Sequence, residues 1–224
     1  MSRLLFIPTP VGNLEDMSPR AIRLLAEADR ILTEDTRTSG RLLKHFGITT
    51  PMIPFHQHNE HRLLPSVMEA LLKGECMALI SDAGTPGISD PAFLLVRACI
   101  EQSIPVEALP GPTAFVPALV ASGIPCDRFC FEGFLPVKKG RKGRLEQLVQ
   151  EKRTMVFYES PHRLLRTLAD LGDAFGAERR ACVSREISKM HEEHVRGSLQ
   201  ELHTIFSERK IKGEITLVVS GFVV

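Results

Sequence analysis

The segment Cys76-Met77-Ala78-Leu79-Ile80-Ser81-Asp82-Ala83-Gly84-Thr85-Pro86-Gly87 decides the fold prediction. Its first five residues form a continuous apolar run, which is typical of a strand buried on both faces of a parallel sheet. A loop rich in glycine and proline follows, and Asp90-Pro91 then supplies the residue types that begin a helix. This order of apolar strand, loop and helix predicts one βα step of an α/β fold.

The same alternation continues on both sides of this segment. Residues 4–7 predict a strand that ends at Pro8, and Ser18-Pro19 predicts a helix that begins with serine as its N-cap. Residues 105–109 predict a further strand, and residues 114–121 predict a helix. We therefore predict a mainly parallel sheet for the N-terminal half.

The second half of the chain predicts a second α/β domain, with a mixed sheet. Ser160-Pro161 repeats the serine–proline helix start, whereas residues 186–197 are polar and predict no element. Strands are expected at residues 129–134, 154–158, 180–184 and 214–219, and helices at 145–151 and 198–207. We place the domain boundary at Ser122-Gly123-Ile124-Pro125, so the predicted domains are residues 1–121 and 122–224.

Length and composition indicate a globular protein, since the 224 residues are 43% hydrophobic and 25% charged. The 28 lysines and arginines against 27 acidic residues give a net charge of +1. That charge neither indicates nor excludes a nucleic-acid partner, because local patches can still be basic. No apolar stretch approaches the roughly 18 residues of a membrane span, and the N-terminus lacks the features of a signal peptide. We therefore expect a soluble, cytoplasmic protein without a membrane partner.

Cysteine and histidine residues do not predict a metal site. The five cysteines mostly lie in apolar runs and are interpreted as reduced core residues. Cys126 and Cys130 are four residues apart, but no second pair completes a zinc site. The histidine-rich residues 55–61 lack an evident carboxylate or cysteine partner at metal-ligand spacing, so a polar substrate loop or plain surface is favoured.

The loop over residues 81–87 follows a buried strand, at the position where open parallel sheets bind ligands. Gly84 and Gly87 allow a ligand to approach the backbone, and Asp82 can accept a hydrogen bond from an ammonium or hydroxyl group. The alternative is a tight turn with Asp90 as a helix cap, and the residues alone leave both open. The chain has neither GxGxxG nor a Walker A sequence, which argues against ordinary dinucleotide and P-loop sites.

Three charged clusters also follow predicted strands. In Glu34-Asp35-Thr36-Arg37, the arginine can hold a phosphate or carboxylate and the acids can position a hydroxyl; the alternative is a solvated capping cluster. Residues 158–163 and 184–189 combine charges of both signs, which suits either a cleft or structural salt bridges.

A basic segment lies between the predicted strand at 129–134 and the helix that follows. Lys138-Lys139-Gly140-Arg141-Lys142-Gly143-Arg144 carries five cations in seven residues. It predicts either a contact with a phosphate backbone or a flexible solvated loop.

Taken in order, these motifs resemble the tetrapyrrole methylase superfamily and, within it, the methyltransferases of small-subunit ribosomal RNA. The matching segments cover almost the whole chain: residues 6–14, 33–37, 81–91, 110–114 and 158–163. The resemblance implies the class III methyltransferase fold, in which two α/β domains enclose S-adenosyl-L-methionine (SAM) in the cleft between them. It also implies a homodimer.

The resemblance further implies which residues hold the cofactor. In the family, SAM is bound by loops at the carboxyl edge of the first sheet and by the second domain. Carried over residue by residue, the first-domain set is Pro8, Asp82, Ala83, Gly84, Ile88, Thr113 and Ala114, and the second-domain set is Phe134, Leu135 and Gly213.

The reaction implied by the resemblance is methylation of the ribose 2′-oxygen of a cytidine in the decoding region of 16S rRNA. Transfer from a sulfonium to a hydroxyl needs alignment and removal of a proton, and needs no metal. The candidate catalytic residues, which the sequence does not separate, are Glu34, Asp35, Glu159, Glu186 and Lys189. The candidate RNA contacts are Arg37, Lys138, Lys139, Arg141, Lys142, Arg144, Arg163 and Arg185.

Two other functions stay open at this point: methylation of a small molecule such as a tetrapyrrole, and SAM binding by a regulatory module without catalysis. The basic segment and the long motif match favour RNA. Longer family members extend beyond the closing strand, whereas this sequence ends at Val224. If that extension holds the ribosomal subunit, we expect this chain either to contact the subunit differently or to act on another substrate.

Overall fold

The computed structural model describes residues 2–88 and 92–222. The chain divides into two compact units, Met1–Thr113 and Ala114–Val224. This division precedes the boundary expected at residues 121 and 122, because helix α5 (Phe115–Ala121) belongs to the second unit. Its Ala118 and Leu119 pack in one core cluster with Val156, Cys182 and Val218 of the second sheet.

The first unit contains a parallel sheet with strand order β3-β2-β4-β1-β5. The described strands are β1 (Arg3–Phe6), β2 (Arg30–Thr33), β3 (Met52–Pro54), β4 (Cys76–Ile80) and β5 (Val106–Ala108). The helices are α1 (Pro19–Glu27), α2 (Thr36–His45), α3 (Glu60–Leu72) and α4 (Phe93–Glu101). Ser18 caps α1 as predicted, since its hydroxyl accepts a hydrogen bond from the Ala21 amide at 3.1 Å. The helix start predicted at Asp90-Pro91 lies outside the described residues.

Both faces of this sheet are covered by helices, which explains why β4 is apolar throughout. Leu24 of α1 and Leu43 of α2 pack on one face, with Ala78 and Ile80 of β4. On the other face, residues of α3 and α4 pack against Met77 and Leu79. The carboxyl ends of the parallel strands therefore share one edge, and their loops are brought together there.

The second unit contains a mixed sheet with strand order β6-β7-β10-β8-β9. Among the described strands of this second sheet, only the β6–β7 pair is parallel. After α5, the elements are β6 (Phe129–Phe134), α6 (Arg141–Leu148), β7 (Thr154–Glu159), α7 (Leu164–Phe175), β8 (Arg180–Arg185), β9 (Glu193–Ser198), α8 (Leu199–Ser207) and β10 (Ile215–Val219). The α/β class predicted from the sequence is confirmed.

Two local predictions for this unit were wrong, and one strand was not predicted. The polar residues 186–197, to which the sequence assigned no element, contain most of β9, an edge strand that pairs only with β8 among the described strands. The basic segment is not all loop, because α6 begins at Arg141. Helix α7 begins at Leu164 rather than at Pro161, since the Ser160 carbonyl accepts the amides of Arg163 and Leu164 in a preceding turn.

Two further findings concern the length of apolar helices and the burial of the cysteines. No helix among the described residues is long and apolar enough to cross a membrane. Cys99 and Cys182 are buried as expected, whereas Cys126 is exposed.

Candidate functional site

Three loops meet at the carboxyl edge of the first sheet, after the adjacent strands β4, β1 and β5. The backbones of Thr9 and Gly84 exchange two hydrogen bonds of 2.9 Å in an isolated antiparallel bridge. The Thr9 hydroxyl donates to the Ser81 carbonyl at 3.2 Å, and the Thr85 hydroxyl donates to the Pro112 carbonyl at 2.9 Å. The first, second and third predicted cofactor loops are therefore joined in one assembly.

Glycine allows these loops to pack this closely. Gly84 has φ +79°, a left-handed conformation that residues with a Cβ rarely adopt. A Cβ on Gly111 would lie 2.7 Å from the Pro8 Cβ, so only glycine fits against that ring. Pro8 and Gly84 are buried within the assembly, whereas Asp82 and Ala83 are exposed at its surface. Ile88 is also exposed, and Thr113 is half-buried.

A group of carboxylates lies beside this assembly. The Asp35 amide donates to Asp82 Oδ1 at 3.3 Å, which joins the end of β2 to the end of β4. Burial raises the pKa of Glu34, and the negative charge of Asp82 raises it further. Burial likewise raises the pKa of Asp82. Two carboxylates with raised pKa values at the carboxyl edge of a sheet are typical of a functional site.

Asp35 has a different environment from its neighbour Glu34. Its side chain caps α2 by accepting the Arg37 amide at 2.8 Å, and it accepts the Arg37 guanidinium at 2.7 and 3.1 Å. The Arg37 hydrogen bonds lower the pKa of Asp35 to about 2. Asp35 is therefore a weak proton acceptor, and the positive charge of Arg37 is already paired with it.

Three buried polar atoms near the ends of β2 and β3 have no hydrogen-bond partner among the described residues: Thr33 Oγ1, Ser39 Oγ and His56 Nδ1. Thr33 lies in one of the matching segments, but the sequence assigned no role to Thr33 or to Ser39, although both lie within five residues of the Glu34-Asp35 pair. A buried polar group without a partner costs free energy, and a polar ligand can supply the missing hydrogen bond. These three atoms are therefore available for further hydrogen bonds at the same edge of the sheet.

In the second unit, Glu159 is buried and fully engaged. The Thr167 hydroxyl donates to Glu159 Oε2 at 2.6 Å, while Oε1 accepts the Ser160 amide and the Arg163 guanidinium, each at 2.7 Å. Arg141 extends this network, donating to Thr167 at 2.9 Å and to Asp170 at 2.6 Å. The network ties α6 and α7 to the end of β7. Of the two roles that the sequence left open for residues 158–163, this arrangement favours structural salt bridges over a binding cleft.

This network changes the role of two predicted RNA contacts. Arg141 is only 5% exposed and its guanidinium is engaged within the network, so it offers little surface to RNA. Arg163 is held by Glu159, and its guanidinium lies 5.9 Å from the centre of the Phe134 ring. Phe134 itself is exposed, whereas Leu135 is buried and offers little side-chain surface to a ligand.

Glu186, Lys189 and Glu214 form a second ion-pair cluster. Lys189 Nζ lies 2.9 Å from Glu186 Oε1 and 3.0 Å from Glu214 Oε2. A hydrogen bond from the Glu214 amide, followed by the Lys189 pair, lowers the pKa of Glu186. Burial alone would lower the pKa of Lys189, but its pairs with the two glutamates outweigh burial and raise it. Gly213 packs directly against the Glu186 side chain, where a Cβ would clash.

The other basic side chains predicted to contact RNA differ in whether their charges are already paired within the described chain. Arg185 donates to Glu193 at 2.6 Å and to the Lys212 carbonyl at 3.2 Å. Arg144 is paired with Glu132, whose side chain is almost fully buried. Lys138, Lys139 and Lys142 are exposed; within the described chain the first two make no ion pair, and Lys142 lies 3.9 Å from Glu146.

No three histidine, cysteine or acidic side chains within residues 2–88 and 92–222 are grouped closely enough to hold a metal ion. The histidine-rich segment places the His56 and His58 rings 5.9 Å apart, and Asn59 holds the turn by accepting the His56 amide.

Comparison with known proteins identifies the family. Residues 3–203 match the model of the tetrapyrrole (corrin/porphyrin) methylases. A protein of Synechocystis sp. named ribosomal RNA small subunit methyltransferase I is 50% identical over 99% of this chain and 80% of its own length. A protein of Thermotoga maritima with the same name is 42% identical over 99% of both chains.

Solved structures share the architecture at much lower identity. The uroporphyrin-III C-methyltransferase of Thermus thermophilus, solved as a complex with S-adenosylhomocysteine, has a TM-score of 0.65 and 16% identity. The match covers 97% of each chain, and at this identity it shows the fold alone. By its sequence and its fold, this chain belongs to the tetrapyrrole methylase family and groups with the relatives named ribosomal RNA small subunit methyltransferase I.

Proposed function

We propose that this chain is a SAM-dependent methyltransferase that methylates the ribose 2′-oxygen of a cytidine in the decoding region of 16S rRNA. The observation that carries the proposal is 50% identity over 99% of the chain to a relative named for small-subunit rRNA methylation. The porphyrin-methylating neighbour shares only 16% identity, so it gives no comparable support for a tetrapyrrole substrate.

The first unit supplies the cofactor loops. Asp82, Ala83 and Ile88 are exposed at the surface of the joined loops and can contact SAM directly, with Thr113 at their edge. Pro8 and Gly84 are buried and keep the loops in position through the Gly111 contact and the Thr9–Gly84 bridge. Asp82 suits a cofactor that carries an ammonium and hydroxyl groups, because a carboxylate accepts hydrogen bonds from both.

The second unit contributes the remaining proposed cofactor contacts, Ala114, Phe134, Leu135 and Gly213. Phe134 offers an exposed aromatic face, and Leu135 contributes through its backbone because its side chain is buried. Gly213 has φ +87°, so its turn needs glycine.

Glu34 is the proposed proton acceptor among the five catalytic candidates. SAM supplies a methyl group activated by the positive charge on sulfur; the protein has to align the hydroxyl oxygen with it and accept the proton. A raised pKa makes Glu34 a stronger base than an ordinary glutamate. Asp35 is held by Arg37, Glu159 by three donors, and Glu186 by Lys189, so each is poorly placed to accept a further proton.

Lysines of the basic segment provide the proposed contacts with the RNA backbone. Lys138, Lys139 and Lys142 are exposed, and their charges are compensated weakly or not at all by neighbours in the described chain. Arg37 is 85% exposed and can add a contact while it stays paired with Asp35. Such contacts carry no sequence information and position the substrate.

A homodimer and a cytoplasmic location complete the proposal. Phe93 and Ile100, seven residues apart on α4, are 74% and 66% exposed, and such an apolar surface suits contact with a second copy. The cytoplasm is where a bacterial small subunit would be methylated. Sedimentation of the wild type and of Phe93→Asp tests the dimer: a shift of the wild type's dimer to monomer in the variant supports this surface, and an unchanged dimer contradicts it.

Methyl transfer from tritiated SAM tests the proposed function. The full chain is incubated separately with undermethylated small ribosomal subunits, with free 16S rRNA and with uroporphyrinogen III. We expect label in the RNA of the subunits. Label in the porphyrinoid alone would overturn the RNA substrate, and tight SAM binding without transfer to any acceptor would indicate a regulatory module.

A further inference from the structure

A cavity of about 390 Å³ lies within the first unit, next to the proposed cofactor loops. One wall is the loop after β1, with Pro10, Gly12 and Leu14. A second wall is formed by residues of α2, and Ser81 and Asp82 complete the lining at the end of β4. The cavity therefore shares two residues with the loop proposed to hold the methyl donor. None of the RNA contacts predicted from the sequence lines it.

One face of α2 forms the polar wall. Thr38, Arg41, Leu42 and His45 have the spacing i, i+3, i+4 and i+7, which places them on the same side of a helix. Arg41 is exposed and has no ion-pair or hydrogen-bond partner for its side chain within the described chain. Arg37, one turn earlier, is by contrast held by Asp35. The cavity therefore has a free guanidinium and an imidazole on one side.

The remaining lining provides neutral and acidic hydrogen-bonding groups beside apolar surface. Ser39 lines the cavity, is 2% exposed, and its hydroxyl has no hydrogen-bond partner among the described residues. Asp82 adds a carboxylate, while Leu14 and Leu42 add apolar contacts. The volume lies within the roughly 300–1,000 Å³ of small-ligand pockets.

These groups match the parts of one nucleotide. A guanidinium and an imidazole bind a phosphate, a hydroxyl and a carboxylate bind sugar hydroxyls or base edges, and apolar side chains contact the face of a base. Proteins that read RNA commonly take a single unstacked nucleotide out of a loop in this way.

We infer that this cavity binds one nucleotide of the RNA strand adjacent to the methylated ribose, with Arg41 and His45 on its phosphate. The inference rests on the proposed function and names a substrate subsite for it. The cavity thus anchors the strand within reach of the loop that presents the methyl donor, while the basic segment of the second unit makes unspecific backbone contacts.

Two variants and a matched control test the inference in the full chain. Arg41→Ala removes the free cation, and Thr38→Trp fills the cavity from an exposed position. Lys44→Ala removes an exposed cation from the same helix that does not line the cavity. Binding of undermethylated small subunits is measured by filter retention at several salt concentrations, and SAM binding is measured by calorimetry.

We expect Arg41→Ala to weaken subunit binding about tenfold, the effect typical of removing one charge-assisted hydrogen bond. Thr38→Trp should weaken it at least as much, because the indole occupies the space of the nucleotide. Arg41→Ala should also lower the slope of log affinity against log salt by about 0.7–0.9. SAM affinity should stay within about twofold, as should subunit binding by Lys44→Ala.

Three results would overturn the inference: unchanged subunit binding by both variants, a parallel fall in SAM affinity, or the same weakening in Lys44→Ala. The second result would assign the cavity to the cofactor, and the third would reduce the effect to overall charge. Failure of the wild type to methylate rRNA would instead contradict the proposed function, since the subsite is judged by binding.

Discussion

Glu34 is distinguished from the other catalytic candidates by what surrounds its carboxylate. Burial and Asp82 raise its pKa, whereas the other acidic candidates are held by cations or by several donors. If Glu34 accepts the ribose proton, Glu34→Gln lowers the rate of methyl transfer about a hundredfold. The measurement is single-turnover transfer from tritiated SAM to undermethylated subunits. Asp35→Asn, which keeps the capping oxygen of α2, is the matched control and should retain far more activity.

The pH dependence of the reaction follows from the same raised pKa. The carboxylate of Glu34 accepts a proton only when it is ionised, so the transfer rate should rise with pH through a pKa above the ordinary 4.5 and then level off. Glu34→Gln should remove this acidic limb. An identical limb in the variant would assign the proton acceptor elsewhere.

Thermal stability distinguishes a role of Glu34 as proton acceptor from a structural role. Because the folded-state pKa of Glu34 is raised, its contribution to stability is present at low pH and is lost as pH rises through that value. Replacing it with neutral glutamine should therefore leave the melting temperature at pH 7 unchanged or higher. A marked fall in melting temperature would show that the Glu34 carboxylate supports the fold.

Gly84 permits a prediction about backbone strain. Its φ of +79° disfavours any Cβ, although the nearest neighbour, Val11 Cγ1, would lie at an ordinary 3.5 Å. Gly84→Ala should therefore lower the free energy of unfolding by about 1 kcal/mol, measured by urea denaturation. Gly143 is the control: it lies in α6 without a positive φ and with open space around it, so Gly143→Ala should be neutral or stabilising. Equal effects of both changes would rule out strain at Gly84.

At the scale of elements, Arg141 connects α6 to α7. Arg141→Ala removes the closer of two arginines at Asp170, where Arg166 remains at 3.6 Å, and a donor to Thr167 next to the buried Glu159; it should cost about 2 kcal/mol of unfolding free energy. Lys142→Ala, at the neighbouring exposed position, should change stability by less than about 0.5 kcal/mol. Equal unfolding midpoints for the two variants would contradict the assignment of Arg141 to the network.

The lysines of the basic segment at residues 138–144 should act on RNA rather than on the fold. Replacing Lys138, Lys139 and Lys142 with alanine should lower subunit affinity and reduce its salt slope by about 0.7–0.9 for each lysine that neutralises a phosphate. SAM affinity should be unaffected. An unaltered salt slope would show that the basic segment does not touch RNA.

A strand or helix could be predicted where its own residues form a clear local pattern. It was missed where its position depends on contacts with residues distant in the sequence. β4 was predictable because an apolar run with a glycine–proline loop has few other solutions. β9 was missed because an edge strand needs little apolar sequence, and its pairing with β8 is made by the backbone. The start of α6 was missed because Arg141 resembles the solvated lysines beside it, and only the distant Thr167 and Asp170 make it a buried anchor.

The residues of the candidate site show the same difference between local sequence patterns and contacts with distant residues. The loop over residues 81–88 was recognisable from its glycines and its place after a strand. The contacts that join it to Thr9 and Pro112 cross 72 and 27 residues of sequence, so they required the fold. The different environments of Glu34 and Asp35, which are adjacent in sequence, could not be predicted from composition because Asp82 and Arg37 act on them unequally.

The whole molecule, with both of its units, is proposed to methylate a ribose of small-subunit RNA. The most direct measurement is nucleotide-resolution mapping of methyl groups in 16S rRNA after undermethylated subunits are incubated with the enzyme and SAM. We expect one new 2′-O-methylcytidine in the decoding region, which is greatly reduced with Glu34→Gln. A methyl group on a base, on another nucleoside, or on no RNA at all would contradict it.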